Sequence, residues 1–304
     1  MKKILLFGIN KKIHTIAKVA GELERGQFEY DFIKWGDLVF GPSGLKLKNE
    51  KIRINEYSAA FFDVPSYAIM KKNSKSEKDK TLIKLTSELY FTASILKDAN
   101  ISFINENIIL KYPYYDKFFQ SRIFFQNEIP AIPTIHLSDN KFEKVREVLE
   151  NTDFKYPIVI KKSRGGMGLE VFKVNNVLEL KSFLKDKRNW NLIYQPYMKN
   201  NCDFRVLVCG GKSLGVMKRE AEAGEWKNNF ALGGKVVAYQ DEKMEKFAEG
   251  ICRKIGFDFA GVDVIKSNGK YLILEVNMFP CFEGFEKVFP EAGVEKEVVK
   301  LLTC

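Results

Sequence analysis

Two apolar runs joined by an Asn-Gly pair constrain this chain more than anything else in it. "FAGVDVIKSNG" and "KYLILEVN", together Phe259–Asn277, read as two strands of a hairpin. The first run carries one acid, Asp263, and the second ends in Glu275, Val276, Asn277. Residues i and i+2 of a strand face the same way, so Glu275 and Asn277 project side by side from a strand that is otherwise core. An unpaired polar group away from water costs roughly 1–3 kcal/mol, and a bare carboxylate more. The oxygens therefore belong either to a satisfied network at a sheet end or to a metal site. A two-residue turn would pair Ser267 with Lys270 and set Val262 opposite Glu275. A three-residue loop pairs Val262 with Val276, Val264 with Leu274 and Asp263 with Glu275. Register follows the hydrophobic pattern where one face is buried. That pattern favours the odd loop, which leaves one apolar face and one face carrying Asp263, Glu275 and Asn277. These three are hard oxygen ligands, suited to magnesium or manganese rather than zinc.

The 304 residues suffice for two or three domains with a sizeable core. No run is long enough to span a bilayer, and "MKKILLFGIN" reads as a first buried strand rather than a signal peptide. Cys202, Cys209, Cys252, Cys281 and Cys304 form no CxxC pair, and His14 and His136 are the only histidines. Zinc is thus disfavoured and a reducing cytoplasm fits. The net charge of +10 suits anionic partners such as nucleotides, acidic peptides or nucleic acid. No basic helix with interleaved aromatics appears, which argues against nucleic acid.

Three blocks follow one another: 1–104, 105–193 and 194–304. The first begins with the strand "KILLFGI", a helix near Ile13–Glu24 and the strand "AAFFDV" (Ala59–Val64). Gly8 lacks the rest of a GxGxxG fingerprint. The charge-rich run Lys71–Lys80 reads as a solvated loop. Leu82, Leu85, Leu89, Ala93 and Leu96 recur at helical spacing and read as core packing. The second block offers a helix at Phe142–Leu149, the strand Tyr156–Lys162, a glycine-rich turn, the strand "EVFKV" and a helix through Leu178–Leu184. The third holds the hairpin "FRVLVCGGKSLGVMKR", a loop with Gly233-Gly234, a helix near Asp241–Ile255 and the opening hairpin. The mixed order of strands and helices indicates α+β domains.

"IVIKKSRGGMGLEV" places Lys161 at the end of an apolar strand, just before glycines whose backbone N–H groups can approach phosphate. The segments "IVIKKSRGGMG", "LIYQPYMKNNCDFRVLVCG", "VMKREAEAGEWKNNFALGG", "FAGVDVIKSNGKYLILEVN" and "FEGFEK" occur in the order seen in ATP-grasp ligases. From "YYDKFF" (Tyr114–Phe119) to Lys287, the chain most resembles the branch typified by the ribosomal-protein glutamate ligase RimK. The resemblance implies an ATP-grasp fold: an N-terminal α/β domain, and two α+β subdomains that clamp ATP. It implies that Lys117 and Lys161 touch ATP phosphates and that Arg164, Gly165, Gly166 and Gly168 belong to a phosphate-covering loop. Gln195, Pro196, Tyr197 and Met198 fall on the adenine-reading hinge, and Asp203 on an acid facing the nucleotide sugar. Arg205 and Arg219 match catalytic arginines near the transferred phosphoryl group, and Lys227, Asn228 and Asn229 a polar loop beside the nucleotide. Asp263, Glu275 and Asn277 match ligands of two magnesium (or manganese) ions.

Two positions depart from the family pattern. Pro196 stands where glutamate is common, which keeps a carbonyl but removes a side-chain contact. Cys281 stands where glycine is common, and cysteine does not accept positive φ as glycine does. The turn beside the acceptor site is therefore expected to take a different shape.

The reaction implied is ADP-forming ligation of a carboxylate to an amine through an acyl phosphate. It would join an amino acid such as glutamate to a peptide or small-molecule carboxylate. Two alternatives stay open: a peptide-modifying ATP-grasp enzyme that forms side-chain amide or ester crosslinks, and a nucleotide-binding regulator without turnover. A homo-oligomer is compatible with either, and no membrane partner is expected.

Overall fold

Ile4, Leu5, Leu6 and Phe7 are buried on both faces of a strand, as the middle of a parallel sheet requires. In the computed structural model, which describes residues 2–41, 44–47, 50–51, 53–64, 75–112, 115–165, 169–220 and 235–304, this is β1 (Lys3–Gly8). It leads through α1 (His14–Arg25) to β2 (Tyr30–Lys34), and a small antiparallel sheet follows: β3 (Leu38–Gly41), β4 (Gly44–Leu47) and β5 (Glu50–Lys51). Then β6 (Tyr57–Phe62) returns beside β1, and α2 (Lys75–Asp98) leads to β7 (Ser102–Phe103). The main sheet of this part is parallel, in the order β2-β1-β6-β7. Residues 71–74 lie outside the described residues, but Lys75 to Lys80 are the first turns of α2 rather than a loop. The run contains no glycine or proline and is rich in Lys, which favours helix. Leu85, Leu89, Ala93 and Leu96 are buried, as their spacing predicts; the side chain of Leu82 lies outside the described residues.

The second part holds α3 (Glu106–Lys111), α4 (Lys117–Gln126), β8 (Ile135–His136), α5 (Phe142–Glu150), β9 (Ile158–Lys162), β10 (Val171–Val174), α6 (Val177–Lys187) and β11 (Leu192–Pro196). Its antiparallel sheet runs β10-β9-β11-β8. Ile158 and Ile160 face a core shared with Leu180 and Leu184 of α6, which leaves Lys161 on the other side. Strand β11 runs through residue 193, where the sequence suggests a boundary, as a full member of this sheet.

The third part is a five-stranded antiparallel sheet, β14-β13-β12-β15-β16, built from β12 (Cys202–Cys209), β13 (Lys212–Glu220), β14 (Lys235–Tyr239), β15 (Phe259–Ser267) and β16 (Lys270–Asn277). Helices α7 (Glu242–Ile255), α8 (Glu283–Glu286) and α9 (Val294–Thr303) complete it. The fold is α+β. The loop with Gly233-Gly234 lies outside the described residues.

The hairpin corrects one expectation. Ser267 pairs with Lys270 across a two-residue turn, whose Asn268 and Gly269 both have positive φ (49° and 75°), the signature of a type I′ turn. A bulge between Asp263 and Val264 then shifts the register, so Val264 faces Ile273 rather than Leu274, while Asp263 faces Glu275 and Val262 faces Val276. A bulge inserts one extra residue on one strand. The tight turn and the register at the acidic end therefore coexist.

Asn105 joins the first and third parts. Fully buried at φ 62°, it accepts from the backbone N–H groups of Asp258 (2.8 Å) and Phe259 (3.0 Å) and donates to the carbonyls of Phe259 (2.7 Å) and Met278 (2.9 Å). Asn105→Ala should lose four hydrogen bonds and place alanine in a left-handed conformation, a loss of roughly 3 kcal/mol. Urea denaturation would measure it, and a loss under about 1 kcal/mol would contradict the role.

Candidate active site

Period-two alternation in four neighbouring strands builds one charged face. Asp203 and Arg205 project together from β12; Arg219 lies opposite Asp203, Asp263 opposite Arg205, and Glu275 opposite Asp263. Asn277 lies opposite Gly261. A Cβ at Gly261 would come within 3.2 Å of Pro280 and 3.5 Å of the Arg205 side chain, so the missing side chain makes room for both.

Buried Asp263 holds two arginines. Arg205 donates through Nε (2.7 Å) and a terminal nitrogen (2.8 Å) to its two oxygens, a bidentate pair. Arg219 reaches the same carboxylate at 3.0 Å and donates a short hydrogen bond to Asp203. Burial works against the Arg219 charge, but Asp203 and Asp263 outweigh it and raise its pKa. Burial lifts the Asp203 carboxyl to about 6 although Arg219 lies beside it.

Glu275 draws cations from three elements. Lys117 Nζ, from the first turn of α4, lies 3.5 Å from Glu275 Oε2 and donates to the Gly165 carbonyl at 2.7 Å. Lys161, on the inner face of β9, and Arg205 add their fields. Burial alone would raise the Glu275 pKa; Lys117, Lys161, Arg205 and the Asn277 amide outweigh it and bring it to about 2. Burial pulls the Lys161 ammonium down to about 8, with Glu275 opposing and Lys117 assisting.

Ser163 couples the two lysines, and nothing in its local sequence singles it out. It is buried at the end of β9; its carbonyl accepts from the Lys117 N–H (3.2 Å) and its Oγ from the Phe118 N–H (3.2 Å). Asp116 caps α4 by accepting from the Phe119 N–H at 3.0 Å, and its other oxygen lies 3.8 Å from Arg164. Gln120, also on α4, accepts from the Val276 N–H at 2.9 Å, which ties the helix to the acidic end of β16.

The remaining candidates divide. Gln195 is buried and donates to Thr134 at 2.8 Å. Pro196, Tyr197 and Met198 are half-buried at the end of β11, and Lys173 lies 4.0 Å over the Tyr197 ring. Gly166, Gly168, Lys227, Asn228 and Asn229 lie outside the described residues. Cys281 is half-buried and is not among the described residues with positive φ, so it carries no left-handed strain where glycine was expected.

Residues 115–302, well over half the chain, match the RimK-like ATP-grasp domain family. The chain belongs to that family. Among curated proteins it is similar to a probable alpha-L-glutamate ligase 2 of Pseudoalteromonas atlantica, 34% identical over 135 residues, which is 43% of this chain and 45% of the relative. The chain thus spans about half the length of the curated relatives it matches. Two solved structures share the whole fold. The RimK domain protein ATP-grasp of Sphaerobacter thermophilus has a TM-score of 0.69 at 12% identity, covering 98% of each chain. The ATP-grasp ligase PsnB, solved with a phosphomimetic variant of minimal precursor, Mg and ADP, has a TM-score of 0.69 at 16% identity, covering 100% of this chain and 99% of its own.

Within this RimK-like site, magnesium fits part of the expected set. The contacts of Glu275 are long, 3.5 Å to Lys117 and 3.3 Å from Asn277, which leaves lone pairs free for a hard cation. Both oxygens of Asp263 are engaged by guanidinium groups, three contacts on a carboxylate with about four acceptor positions, which leaves it less open to a cation than Glu275. Among the described residues no three His, Cys, Asp or Glu side chains cluster around a metal position, and an Asp, Glu and Asn set does not require such a cluster.

Glu275 also makes a stability prediction. Its folded pKa of about 2 lies below the ordinary value of 4.5, so it stabilises the fold above pH 4.5 and loses that contribution as pH falls through 2. Glu275→Gln should cost on the order of 2 kcal/mol at neutral pH, with the deficit closing as pH falls from about 4 toward 2. Chemical denaturation of both proteins across pH checks this; a deficit constant with pH would contradict it.

Proposed function

We propose that this chain is an ADP-forming carboxylate–amine ligase that works through an acyl phosphate. The observation that supports the reading best is the convergence of Lys117, Lys161 and Arg205, from three different elements, on Glu275. A carboxylate does not react with an amine directly, because its oxygen is a poor leaving group. Transfer of the ATP γ-phosphoryl group to that oxygen makes a leaving group, and the attacking amine then expels phosphate. Both partners of the first step are anions, so the site must screen like charges.

Lys117 and Lys161 are suited to the β- and γ-phosphates, with the Arg164–Gly165 backbone beside them. The hinge Gln195–Met198 offers backbone groups to adenine. Glu275 and Asn277, together with Asp263, would hold magnesium (manganese suits the same oxygens), as one or two ions, to neutralise phosphate charge. Arg205 has part of its side chain accessible and would contact the phosphoryl group. Arg219 is only 3% exposed and held between Asp203 and Asp263; it acts by positioning Asp263. The amine substrate is an amino acid such as glutamate, in line with the named activity of the curated relatives, and the carboxylate belongs to a peptide or small molecule.

A second reading has its own support. The structural neighbours include an ATP-grasp ligase solved with a precursor peptide and a macrocyclase bound with its precursor peptide, which supports a reading in which the two joined groups belong to one peptide. A screen of free amino acids against carboxylates and peptides for stimulated ADP release separates the readings. A peptide that supports turnover alone, and loses water, favours crosslinking.

With an oxygen-labelled carboxylate, the label should appear in inorganic phosphate. AMP, or unlabelled phosphate during productive ligation, would overturn the mechanism. Lys117→Met and Lys161→Met should each lower kcat/KM for ATP by about 100-fold or more, and Lys117→Met should also lower the thermal midpoint because it removes the leading cation beside Glu275; unaltered ATP kinetics in both would refute the phosphate assignment.

A further inference from the structure

We propose that Asp63 receives the ammonium group of the amine substrate, in a cavity where the N-terminal parallel sheet meets the loop after β16. This deepens the ligase reading and rests on it for the substrate's identity. Asp63 follows β6 directly. In the order β2-β1-β6-β7 the chain leaves β1 through α1 to one side and returns as β6 on the other. The carboxyl ends of β1 and β6 thus form a topological switch point, where open parallel sheets bind ligands.

A small cavity opens there, lined by Thr15, Phe62, Asp63, Asn105, Phe279 and Pro280 among others, with room for about one water-sized group. An ammonium head is of that size. Asp63 is 4% exposed, and its Oδ2 is buried without a hydrogen-bond partner among the described residues. Its backbone is held: its N–H donates to the Phe7 carbonyl (2.8 Å) and its carbonyl accepts from Trp35 Nε1 (2.8 Å). The strand end therefore holds the Asp63 backbone in a fixed position at the cavity wall.

Two other polar side chains line the cavity, Thr15 and Asn105. The Asn105 amide spends both its donors and its acceptor on backbone groups. Burial lifts the Asp63 carboxyl to about 7, and no cation among the described residues offsets it. Isolated buried charge is costly unless paired, so a cation entering the cavity meets a carboxylate it can pair with, and an anion meets repulsion. Pro280 lines the cavity and also lies over Gly261 beside the Arg205 side chain, which puts the cavity on the Arg205 side of the site. An ammonium held at Asp63 can give a proton to the Asp63 carboxylate, and the neutral amine so formed is the nucleophile that the acyl phosphate requires.

The first test needs no turnover. Methylammonium chloride should raise the thermal midpoint of the wild type by a few degrees above tetramethylammonium chloride at equal ionic strength, because tetramethylammonium has no N–H to donate. Asp63→Asn keeps the shape and should abolish the difference. Equal effects of the two salts on the wild type overturn the site, whether or not the variant folds. In ADP release with the amine selected by the screen, Asp63→Asn should raise the amine KM at least about tenfold, and leave the ATP KM unchanged. An unchanged amine KM overturns the proposal. A free amino acid and a peptide's lysine or amino terminus carry the same group; the one against which methylammonium competes is the occupant, and competition against neither overturns the proposal. A screen that finds no amine removes the ligase reading, while the salt comparison still decides the ammonium site.

Discussion

The charged face depends on the bond between Asp263 and its two arginines. A buried ion pair is a poor source of stability, since desolvation consumes most of its Coulombic gain. An apolar trio at Asp263, Arg205 and Arg219 would serve the sheet as well or better. What the trio provides is position. Asp263 fixes the Arg205 guanidinium through two bonds, and Arg219, locked between Asp203 and Asp263, prevents Asp263 from turning. Arg205 is thereby aimed along the face toward Glu275, where Lys117 and Lys161 also point. Strongly perturbed buried groups that share one cleft mark functional sites more often than structural ones.

The acidic end of the hairpin was legible because strand periodicity is strict: an acid at 263, an acid at 275 and an amide at 277 can share one face only in one local register. The turn was not legible from the same logic. A hydrophobic pattern reports register where side chains are buried, and it cannot show an extra residue inserted further along. Asn268 and Gly269 called for a two-residue turn, the buried positions called for an offset, and the bulge between Asp263 and Val264 satisfies both. The start of α2 was missed for a related reason. A run without apolar residues contains no periodicity to read, although its composition permits helix.

Ser163, Asn105, Gln120 and Gly261 belong to a different category. Each acts through a partner remote in sequence: Ser163 on the first turn of α4, Asn105 on Asp258 and Phe259, Gln120 on Val276, Gly261 by leaving space for Arg205 and Pro280. Their neighbours in the chain say nothing of those partners, so no local pattern marks them. Asp63 is the exception. An acid closing the apolar run "AAFFDV" poses the same question as Glu275 closing "YLILE", and the same reasoning about lone carboxylates at strand ends applies to both.

The two acids differ in their surroundings, and the difference has chemical meaning. Glu275 lies among three cations that hold it ionised, while Asp63 lies among apolar rings with burial as the dominant influence. A ligase of the proposed kind must bind phosphates, which need a cation-rich surface, and an amine, which needs an isolated acceptor away from that surface. Placing both functions around one carboxylate would fail, because the lysines that attract phosphate repel ammonium. Met278–Cys281 separates the regions: Met278 and Pro280 wall the Asp63 cavity, Pro280 packs over Gly261 beside Arg205, and Cys281 lies within the fields of both Asp63 and Arg205. In the ligase reading this short loop lies between the cation-rich surface suited to phosphate and the lone carboxyl group suited to the amine. Cysteine suits that place, since burial raises its pKa and keeps it neutral, so it favours neither side.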